Sequence, residues 1–174
     1  MNKSILVTGG VRSGKSLFAE RLVKTIGERP IYIATAQALD DEMEQRIVGH
    51  QARRGPEWTT IHAPLDLVGA LRASEGKSPR LVDCLTLWLT NLILSDKPWR
   101  DEIDILITAI RQRTSPVVFV TNEVGMGIVP ESKLGREFRD AAGFMNQKIA
   151  SASDEVYLTV AGIPMKVKPN DDSP

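Results

Sequence analysis

The stretch Gly9-Gly10-Val11-Arg12-Ser13-Gly14-Lys15-Ser16 decides how the rest of the chain is interpreted. It fits the phosphate-loop pattern G-x-x-x-x-G-K-[ST] at every fixed position. The apolar residues 5–7 precede it and predict a buried strand, and residues 17–23 follow it with the apolar spacing of a helix. The motif therefore stands between a strand and a helix, which is the context that a nucleotide site requires.

Each residue type in this loop has a physical task. Gly9 and Gly14 let backbone N–H groups approach phosphate oxygens, because a side chain there would block the approach. The helix that begins near Lys15 directs its positive dipole end at the same anion. We expect Lys15 to act on the β and γ phosphates of ATP or GTP as a catalytic residue, and the Ser16 hydroxyl to ligate Mg²⁺. The predicted nucleotide-binding set is Gly9, Gly10, Val11, Arg12, Ser13, Gly14, Lys15 and Ser16.

The composition limits the classes of protein to which the chain can belong. Its 174 residues fit one domain, predicted over residues 1–169 with a tail at 170–174. The 22 basic and 22 acidic residues create no global field that would recruit nucleic acid or an acidic membrane. One cysteine excludes an internal disulfide framework and a cysteine-rich zinc site. With no signal-peptide pattern and no apolar run long enough to span a membrane, we expect a cytoplasmic protein.

Strand and helix patterns alternate along the chain after the phosphate loop, which indicates a mostly parallel sheet with helices on both faces. We therefore predict an α/β fold made of a single phosphate-loop domain of the RecA-like type. Residues 164–167 are expected to form an edge strand. Residues 85–94 are apolar on almost every face, and we expect a helix that buries one side in the domain and another in a subunit interface.

Several segments at the carboxyl ends of predicted strands are expected to face the phosphate loop, because ligands bind at the carboxyl ends of strands in open α/β sheets. They are Ala34-Thr35-Ala36, Asp83 and Thr121-Asn122-Glu123. We interpret Asp83 as a ligand of Mg²⁺ or of its water, the alternative being a turn former at a strand end. The apolar, glycine-bearing loop at 124–130 either packs on a neighbour or lines the site of a second substrate.

His50 lies on a predicted helix at residues 42–53, near Arg46, Arg53 and Arg54. From the spacing alone, a partly buried structural histidine is the more common role of such a residue. A chemical role is the alternative, since a neutral imidazole is a competent nucleophile near neutral pH.

Separated stretches that span almost the whole chain match one family of enzymes. They are Leu6-Val7-Thr8-Gly9-Gly10, Arg12-Ser13-Gly14-Lys15-Ser16, Tyr32-Ile33-Ala34-Thr35-Ala36, Asp41-Glu42-Met43, Arg46-Ile47, His50 and Thr121-Asn122-Glu123-Val124-Gly125-Met126-Gly127-Ile128-Val129-Pro130. Together they resemble the bifunctional adenosylcobinamide kinase and adenosylcobinamide-phosphate guanylyltransferase of cobalamin synthesis. The combination of the His50 helix with residues 121–130 is more specific than the phosphate loop, which many folds share.

The resemblance implies two reactions in one chain. As a kinase it would transfer the γ-phosphoryl group of ATP or GTP to a hydroxyl of adenosylcobinamide. As a guanylyltransferase it would form a covalent GMP adduct on His50 from GTP and pass the GMP to adenosylcobinamide phosphate, which gives adenosylcobinamide-GDP. The family is also similar in forming a homotrimer with sites between subunits.

The resemblance further implies which residues contact nucleotide outside the phosphate loop. They are Ala34, Thr35, Ala36, Gln51, Ala52, Arg53, Arg54 and Asp83. Where relatives commonly carry Glu, this chain has His62, which we treat as a changed guanosine contact and as a weaker rival nucleophile to His50. Arginines 46, 53 and 54 would neutralise phosphate charge as the bond to histidine forms.

Two alternative functions stay open on the sequence. The first is a phosphate-loop kinase of another small molecule, in which His50 is structural. The second is a GTP-binding regulatory protein, although the chain contains no Asn-Lys-x-Asp motif for reading guanine. Binding of nucleic acid is not expected, because the charge is balanced.

Overall fold

The computed structural model describes residues 2–37, 54–76 and 78–169, together with positions 45, 48, 49 and 52. Strands and helices alternate along most of the described residues. They are β1 (Ser4–Gly9), α1 (Lys15–Ile26), β2 (Ile31–Ala34), β3 (Thr59–His62), α2 (Leu67–Ala73), β4 (Arg80–Asp83), α3 (Leu85–Leu94), α4 (Trp99–Gln112), β5 (Val117–Val120), α5 (Lys133–Ala152), β6 (Glu155–Val160) and β7 (Ile163–Lys168). The predicted helix at 42–53 lies mostly outside the described residues, and so does the tail at 170–174.

The strands form one sheet in the order β3-β2-β4-β5-β1-β6-β7. Neighbouring strands are parallel except for β7, which pairs with β6 in the antiparallel direction. Strand β1, where the phosphate loop begins, therefore lies near the middle of the sheet between β5 and β6. The predicted α/β class with a mostly parallel sheet is confirmed, and β7 is the expected edge strand.

Alternate residues of the strands point to opposite faces of the sheet, and each face is covered by helices. On one face Ile5, Val7 and Val118 belong to a core cluster with Ala19 and Val23 of α1. On the other face the cluster combines strand residues with residues of α2, α3, α4 and α5. Burial of both faces is the arrangement that a parallel sheet needs, because the hydrophobic effect acts on each face separately.

Helix α3 buries one side in the core of the domain, as expected. Leu85, Trp88 and Leu89 are fully buried in the core of the chain itself. The Trp88 indole Nε1 donates a hydrogen bond to the Leu65 carbonyl at 2.9 Å. Only Leu94, at the end of the helix, is largely exposed, at 65%. The core leaves Leu87 and Ile93 half-buried, and the expected contact of this helix with a second subunit stays a prediction.

The buried side chain of Arg80, the first residue of β4, joins neighbouring segments at the end of the sheet where the parallel strands begin. Its guanidinium donates hydrogen bonds to the Leu71 carbonyl, to Oε1 of Glu75 and to the Ser115 carbonyl, at 2.9, 2.8 and 2.8 Å. Burial lowers the pKa of Arg80 from its ordinary value, and the Glu75 carboxylate opposes that effect. Partial burial of Glu75 alone would raise its pKa, but hydrogen bonds from Thr114 and Ser115 and the Arg80 charge hold that pKa below its ordinary value.

Candidate functional site

The phosphate loop takes a backbone conformation that only glycine accommodates at two positions. Gly9 has φ +156° and Gly14 has φ +91°. A Cβ atom on Gly9 would lie 2.5 Å from the Thr159 carbonyl oxygen, and one on Gly14 would lie 3.1 Å from the Gly162 Cα atom. Both glycines are therefore required by close backbone contacts as well as by the expected approach of phosphate.

The turn between β6 and β7 contacts the phosphate loop and supports it. Local sequence patterns do not predict this contact. The Gly162 N–H donates a hydrogen bond to the Ser13 carbonyl at 2.9 Å. Residues 161 and 162 have the pattern of a simple turn, and nothing in that pattern links them to residues near position 13. The link arises only from the pairing of β6 with β1.

The first turn of α1 is open to an anion. The helix begins at Lys15, has no side-chain hydrogen bond at its Gly14 cap, and carries no acidic residue in its first turn. Its N–H groups and the positive end of its dipole therefore lie behind the phosphate loop without a competing acceptor from a cap. This geometry is what the motif predicts.

Lys15 is largely buried, and its Nζ donates a hydrogen bond to the Gly10 carbonyl at 3.0 Å. Burial lowers the pKa of Lys15 from its ordinary value, and the Asp83 carboxylate acts in the opposite direction. Neighbouring Cys84 is a neutral thiol near pH 7, because burial raises its pKa to about 12. Among the described residues, Asp83 is therefore the charged acidic group that opposes the effect of burial on the pKa of Lys15.

Asp83 lies at the same edge of the sheet as the phosphate loop. It is in register with Val120 of β5, which in turn is in register with Val7 of β1. Two strand spacings of about 4.8 Å put the Asp83 and Val7 backbones about 10 Å apart. The Tyr32 hydroxyl donates to Asp83 Oδ2 at 3.3 Å. Burial, followed by the Asp83 charge, raises the pKa of Tyr32, so its hydroxyl stays protonated as a donor.

The oxygen ligands that this edge offers suit Mg²⁺. Mg²⁺ prefers carboxylate and hydroxyl oxygens and keeps several waters, so it does not need a dense cluster of protein ligands. Ser16 and Asp83 supply one oxygen group each. In the described part of the chain no group of three or more His, Cys, Asp or Glu side chains is placed to hold a metal ion.

The segment after β5 runs beside the phosphate loop, as its position at a strand end predicts. The N–H groups of Thr121 and Glu123 donate hydrogen bonds to the Val7 and Gly9 carbonyls, each at 3.0 Å. Asn146 of α5 accepts from the Thr121 hydroxyl at 2.8 Å and donates to the Asn122 carbonyl at 3.1 Å. Asn146 thus fixes this segment, a role that no sequence pattern indicates.

The predicted contact segment after β2 is held by buried polar bonds. The Thr35 hydroxyl donates to the Cys84 carbonyl at 2.7 Å and accepts from the Cys84 N–H at 2.8 Å. The Asn91 side chain donates to the carbonyls of Thr35 and Pro64 at 2.8 and 2.9 Å. The Thr35 side chain therefore serves the protein interior. Any nucleotide contact of Ala34, Thr35 and Ala36 would involve other atoms of this segment.

His62 is not brought close to the phosphate loop. It ends β3, the outer strand of the sheet, and its side chain is exposed. It is in register with Ala34, which is in register with Asp83. Four strand spacings separate β3 from β1, which corresponds to roughly 20 Å. A role of His62 in nucleotide binding stays a prediction.

Arg54 is placed by an aromatic contact, whereas its neighbours are mostly outside the described residues. The Arg54 Cζ atom lies 3.5 Å from the centroid of the Tyr32 ring. Ala52 is helical and exposed. His50, Gln51 and Arg53, which carry the predicted covalent chemistry and part of the nucleotide contacts, lie outside the described residues.

Exposed apolar side chains occur in the phosphate loop and in the glycine-bearing loop after β5. Val11 is 80% exposed, Met126 is 81% exposed and Ile128 is 97% exposed. Large apolar side chains with this exposure are candidates for contact with a ligand or a partner. Among the described helices none has the length and apolar character to cross a membrane.

Comparison with known proteins gives consistent matches. The family model described as "Cobinamide kinase / cobinamide phosphate guanyltransferase" matches residues 5–167. The bifunctional adenosylcobalamin biosynthesis protein CobP of Pseudomonas aeruginosa is 48% identical, over 94% of this chain and 96% of that protein. The bifunctional adenosylcobalamin biosynthesis proteins CobU of Salmonella typhimurium and Escherichia coli are 45% and 43% identical, each over 94% of this chain and 99% of the relative.

Among solved structures, PH0250 of Pyrococcus horikoshii is similar with a TM-score of 0.57 at 9% sequence identity. The match covers 98% of this chain and 88% of that chain. At this identity the likeness shows a shared fold and nothing about activity.

Proposed function

The chain belongs to the cobinamide kinase / cobinamide phosphate guanyltransferase family, and from this premise we propose that it carries out both reactions through a guanylyl-histidine intermediate. The observation that carries the proposal is the phosphate loop, with its two required glycines and the open first turn of α1. These features support binding of a nucleoside triphosphate next to Asp83. The family match supports a corrinoid as the second substrate.

In the proposed kinase reaction, a hydroxyl oxygen of adenosylcobinamide attacks the γ-phosphorus of ATP or GTP. The bond from that phosphorus to the bridging oxygen of the β-phosphate breaks, and the nucleoside diphosphate leaves while the hydroxyl loses its proton. Lys15 and the N–H groups of the loop stabilise the charge on the phosphates as it shifts. Because Lys15 is largely buried, its charge is screened by water less than the charge of an exposed lysine.

In the proposed transferase reaction, an imidazole nitrogen of His50 attacks the α-phosphorus of GTP and pyrophosphate leaves. A phosphate oxygen of adenosylcobinamide phosphate then attacks the same phosphorus, which frees His50 and forms adenosylcobinamide-GDP. The covalent intermediate divides one difficult transfer into two easier ones. Arg54, placed on the Tyr32 ring four residues after His50 in the chain, supplies a fixed positive charge for the phosphates.

Ser16 and Asp83 would hold Mg²⁺, directly or through water. When bound, this ion supplies charge neutralisation on the phosphate oxygens and helps to fix their geometry. Hydroxyl and carboxylate oxygens are suitable ligands for it.

The exposed side chains of Met126 and Ile128 support a partner for the loop after β5. We propose that this partner is the corrinoid substrate or a neighbouring subunit of a homotrimer. We further propose that the protein acts in the cytoplasm. Sedimentation equilibrium of the purified protein tests the trimer directly, and a monomer at micromolar concentration would contradict it.

The covalent step has a decisive test. Purified protein is incubated with Mg²⁺ and GTP labelled at the α-phosphate, denatured, and examined for retained label. We expect acid-labile, alkali-stable label on the wild type and on His62→Ala, and no label on His50→Ala. Label lost in His62→Ala but kept in His50→Ala would assign the reaction to the rival histidine, and no label on any of the three would refute the covalent mechanism.

The kinase step is tested separately with GTP or ATP labelled at the γ-phosphate and adenosylcobinamide as acceptor. We expect labelled adenosylcobinamide phosphate from the wild type and none from Lys15→Met. Phosphorylation of a different small molecule without any covalent nucleotide would favour a simple kinase. Slow hydrolysis of GTP without transfer to any acceptor would favour a GTP-binding regulator.

A further inference from the structure

Tyr32 joins two parts of the candidate site from the middle of β2. Its side chain is 5% exposed and lies on the face of the sheet that packs against α1. Its hydroxyl donates the hydrogen bond to Asp83 Oδ2 at 3.3 Å. Because Asp83 ends the neighbouring strand β4, this bond limits the directions in which the carboxylate can point.

The face of the Tyr32 ring holds the guanidinium of Arg54. The distance of 3.5 Å from Arg54 Cζ to the ring centroid is that of a close cation–π contact. Trp58 meets the same ring edge-on, with centroids 6.2 Å apart, and so fixes the plane of the ring. Arg54 Nη1 is buried and has no hydrogen-bond partner among the described residues. A guanidinium held by its face keeps its N–H groups for an anion in its own plane.

From this juxtaposition we propose that Tyr32 is a positioning residue that aligns the Asp83 carboxylate through its hydroxyl and the Arg54 guanidinium through its ring. One side chain thereby orients both the carboxylate beside the proposed metal ion and the guanidinium beside the phosphates of the same bound nucleotide. The inference rests on the proposed function for the identity of that nucleotide. A tyrosine that only filled the core would need its ring and not its hydroxyl, and the two roles therefore separate by substitution.

The chain offers a graded set of variants with a matched control. Tyr32→Phe removes the hydroxyl and keeps the ring, whereas Tyr32→Leu removes both. Arg54→Ala removes the guanidinium. The control is Tyr157→Phe, because Tyr157 is the second of the two tyrosines and its hydroxyl donates to Glu155 Oε2 at 2.9 Å, away from Asp83.

The measurement is binding of a fluorescent GTP analogue at increasing Mg²⁺ concentrations, with no corrinoid present. We expect Tyr32→Phe to raise the half-saturating Mg²⁺ concentration about fivefold, since a hydrogen bond to a charged group is lost. Its affinity for the analogue at saturating Mg²⁺ should stay within about twofold, because the cation–π contact is kept. Tyr157→Phe should match the wild type in both quantities.

Tyr32→Leu tests the ring. We expect the same shift in Mg²⁺ dependence together with an affinity at saturating Mg²⁺ that is about tenfold weaker, since the desolvated cation–π contact is lost. Arg54→Ala should weaken the affinity to the same degree without shifting the Mg²⁺ dependence. The double variant Tyr32→Leu/Arg54→Ala should bind the analogue no more weakly than either single variant, because the ring acts on the nucleotide through the guanidinium.

Two results would overturn the proposal. A Tyr32→Phe variant with the Mg²⁺ dependence of the wild type refutes the hydroxyl's role, and additive losses in the double variant refute the ring's role. Urea unfolding of each variant verifies that it is folded, and Tyr32→Phe keeps the hydroxyl test usable if Tyr32→Leu does not fold. The readout is nucleotide binding and needs no corrinoid. A wild-type protein that binds GTP but does not modify a corrinoid would refute the proposed function, and the role of Tyr32 could still be tested with the same variants.

Discussion

Replacing Arg80 with Met should show how much one buried cation contributes to the stability of the sheet. Arg80 is 1% exposed and donates to two carbonyls and one carboxylate. After substitution the Leu71 carbonyl keeps a hydrogen bond from the Ser74 hydroxyl at 3.2 Å. The Ser115 carbonyl loses the guanidinium bond, which costs about 1–3 kcal/mol for an unsatisfied buried group.

The remaining contributions are smaller. The hydrogen bond to Leu71 is worth about 1 kcal/mol. The Glu75 side chain is 31% exposed, so its ion pair with Arg80 is screened by water and contributes about 1 kcal/mol or less. Methionine fills part of the space and recovers some apolar contact. We therefore expect Arg80→Met to lower the free energy of unfolding by about 3 kcal/mol.

The assay is urea unfolding followed by tryptophan fluorescence, in which the fully buried Trp88 reports on the core. The partner variant Glu75→Gln should cost less, about 1–2 kcal/mol, because glutamine still accepts hydrogen bonds and water reaches the position. The double variant should cost less than the sum of the two single variants, since the two groups are in contact. A loss below about 1 kcal/mol for Arg80→Met, or equal losses for both single variants, would refute this reasoning.

Three further outcomes follow from other contacts. Gly14→Ala should destabilise the fold by about 1–2 kcal/mol, because an alanine there is forced into a left-handed backbone conformation and a close contact with Gly162. Gly10→Ala should change stability by less than about 0.5 kcal/mol, since a Cβ atom at Gly10 would meet no other atom within 4 Å. Urea unfolding compares the two variants, and equal losses would contradict the steric argument. Triphosphate binding should take up a proton at pH values between the lowered pKa of free Lys15 and the ordinary lysine pKa of about 10.4, because the phosphates raise that pKa again. Calorimetry at a series of pH values, in two buffers of different ionisation enthalpy at each pH, detects the uptake, and identical heats at every pH would exclude it. The hydrogen bond from Lys3, together with those from Tyr157 and Lys166, lowers the pKa of Glu155, so its stabilisation is present above the ordinary glutamate pKa and is lost as the pH falls through the lowered value. Glu155→Gln should have a lower urea midpoint than the wild type at pH 7, this difference should shrink as the pH falls below the ordinary glutamate pKa, and a constant difference would contradict this origin.

Local patterns were sufficient for most of the fold. The strand at Val117–Val120 and the amphipathic helix at Trp99–Gln112 are continuous in sequence, so periodicity alone predicts them. The phosphate loop was predictable for the same reason, because its chemistry lies in eight consecutive residues. The location of Asp83 on the same side of the sheet as the phosphate loop was predictable, because the residue ends a strand.

Features that depend on distant parts of the chain were not predictable. The side of the apolar helix Leu85–Leu94 that the domain core covers depends on the packing of α2, α4 and α5, which no local pattern gives. Asn91 and Asn146 are isolated polar residues on helices, and their hydrogen bonds to the site segments depend on which carbonyls the fold brings to them. The contact of Arg54 with Tyr32 likewise joins residues that no local pattern connects.

The central place of β1 in the sheet has a consequence for the order in which the protein is made. The backbone N–H of Ser4 pairs with the carboxylate of a residue 150 positions later in the chain, and the parallel partners of β1 are β5 and β6. During synthesis β1 therefore stays without its full set of neighbours until β6 has left the ribosome. A nascent chain should therefore acquire nucleotide affinity late, and a premature stop before residue 155 should yield a polypeptide with an intact phosphate-loop motif and an incomplete sheet around it.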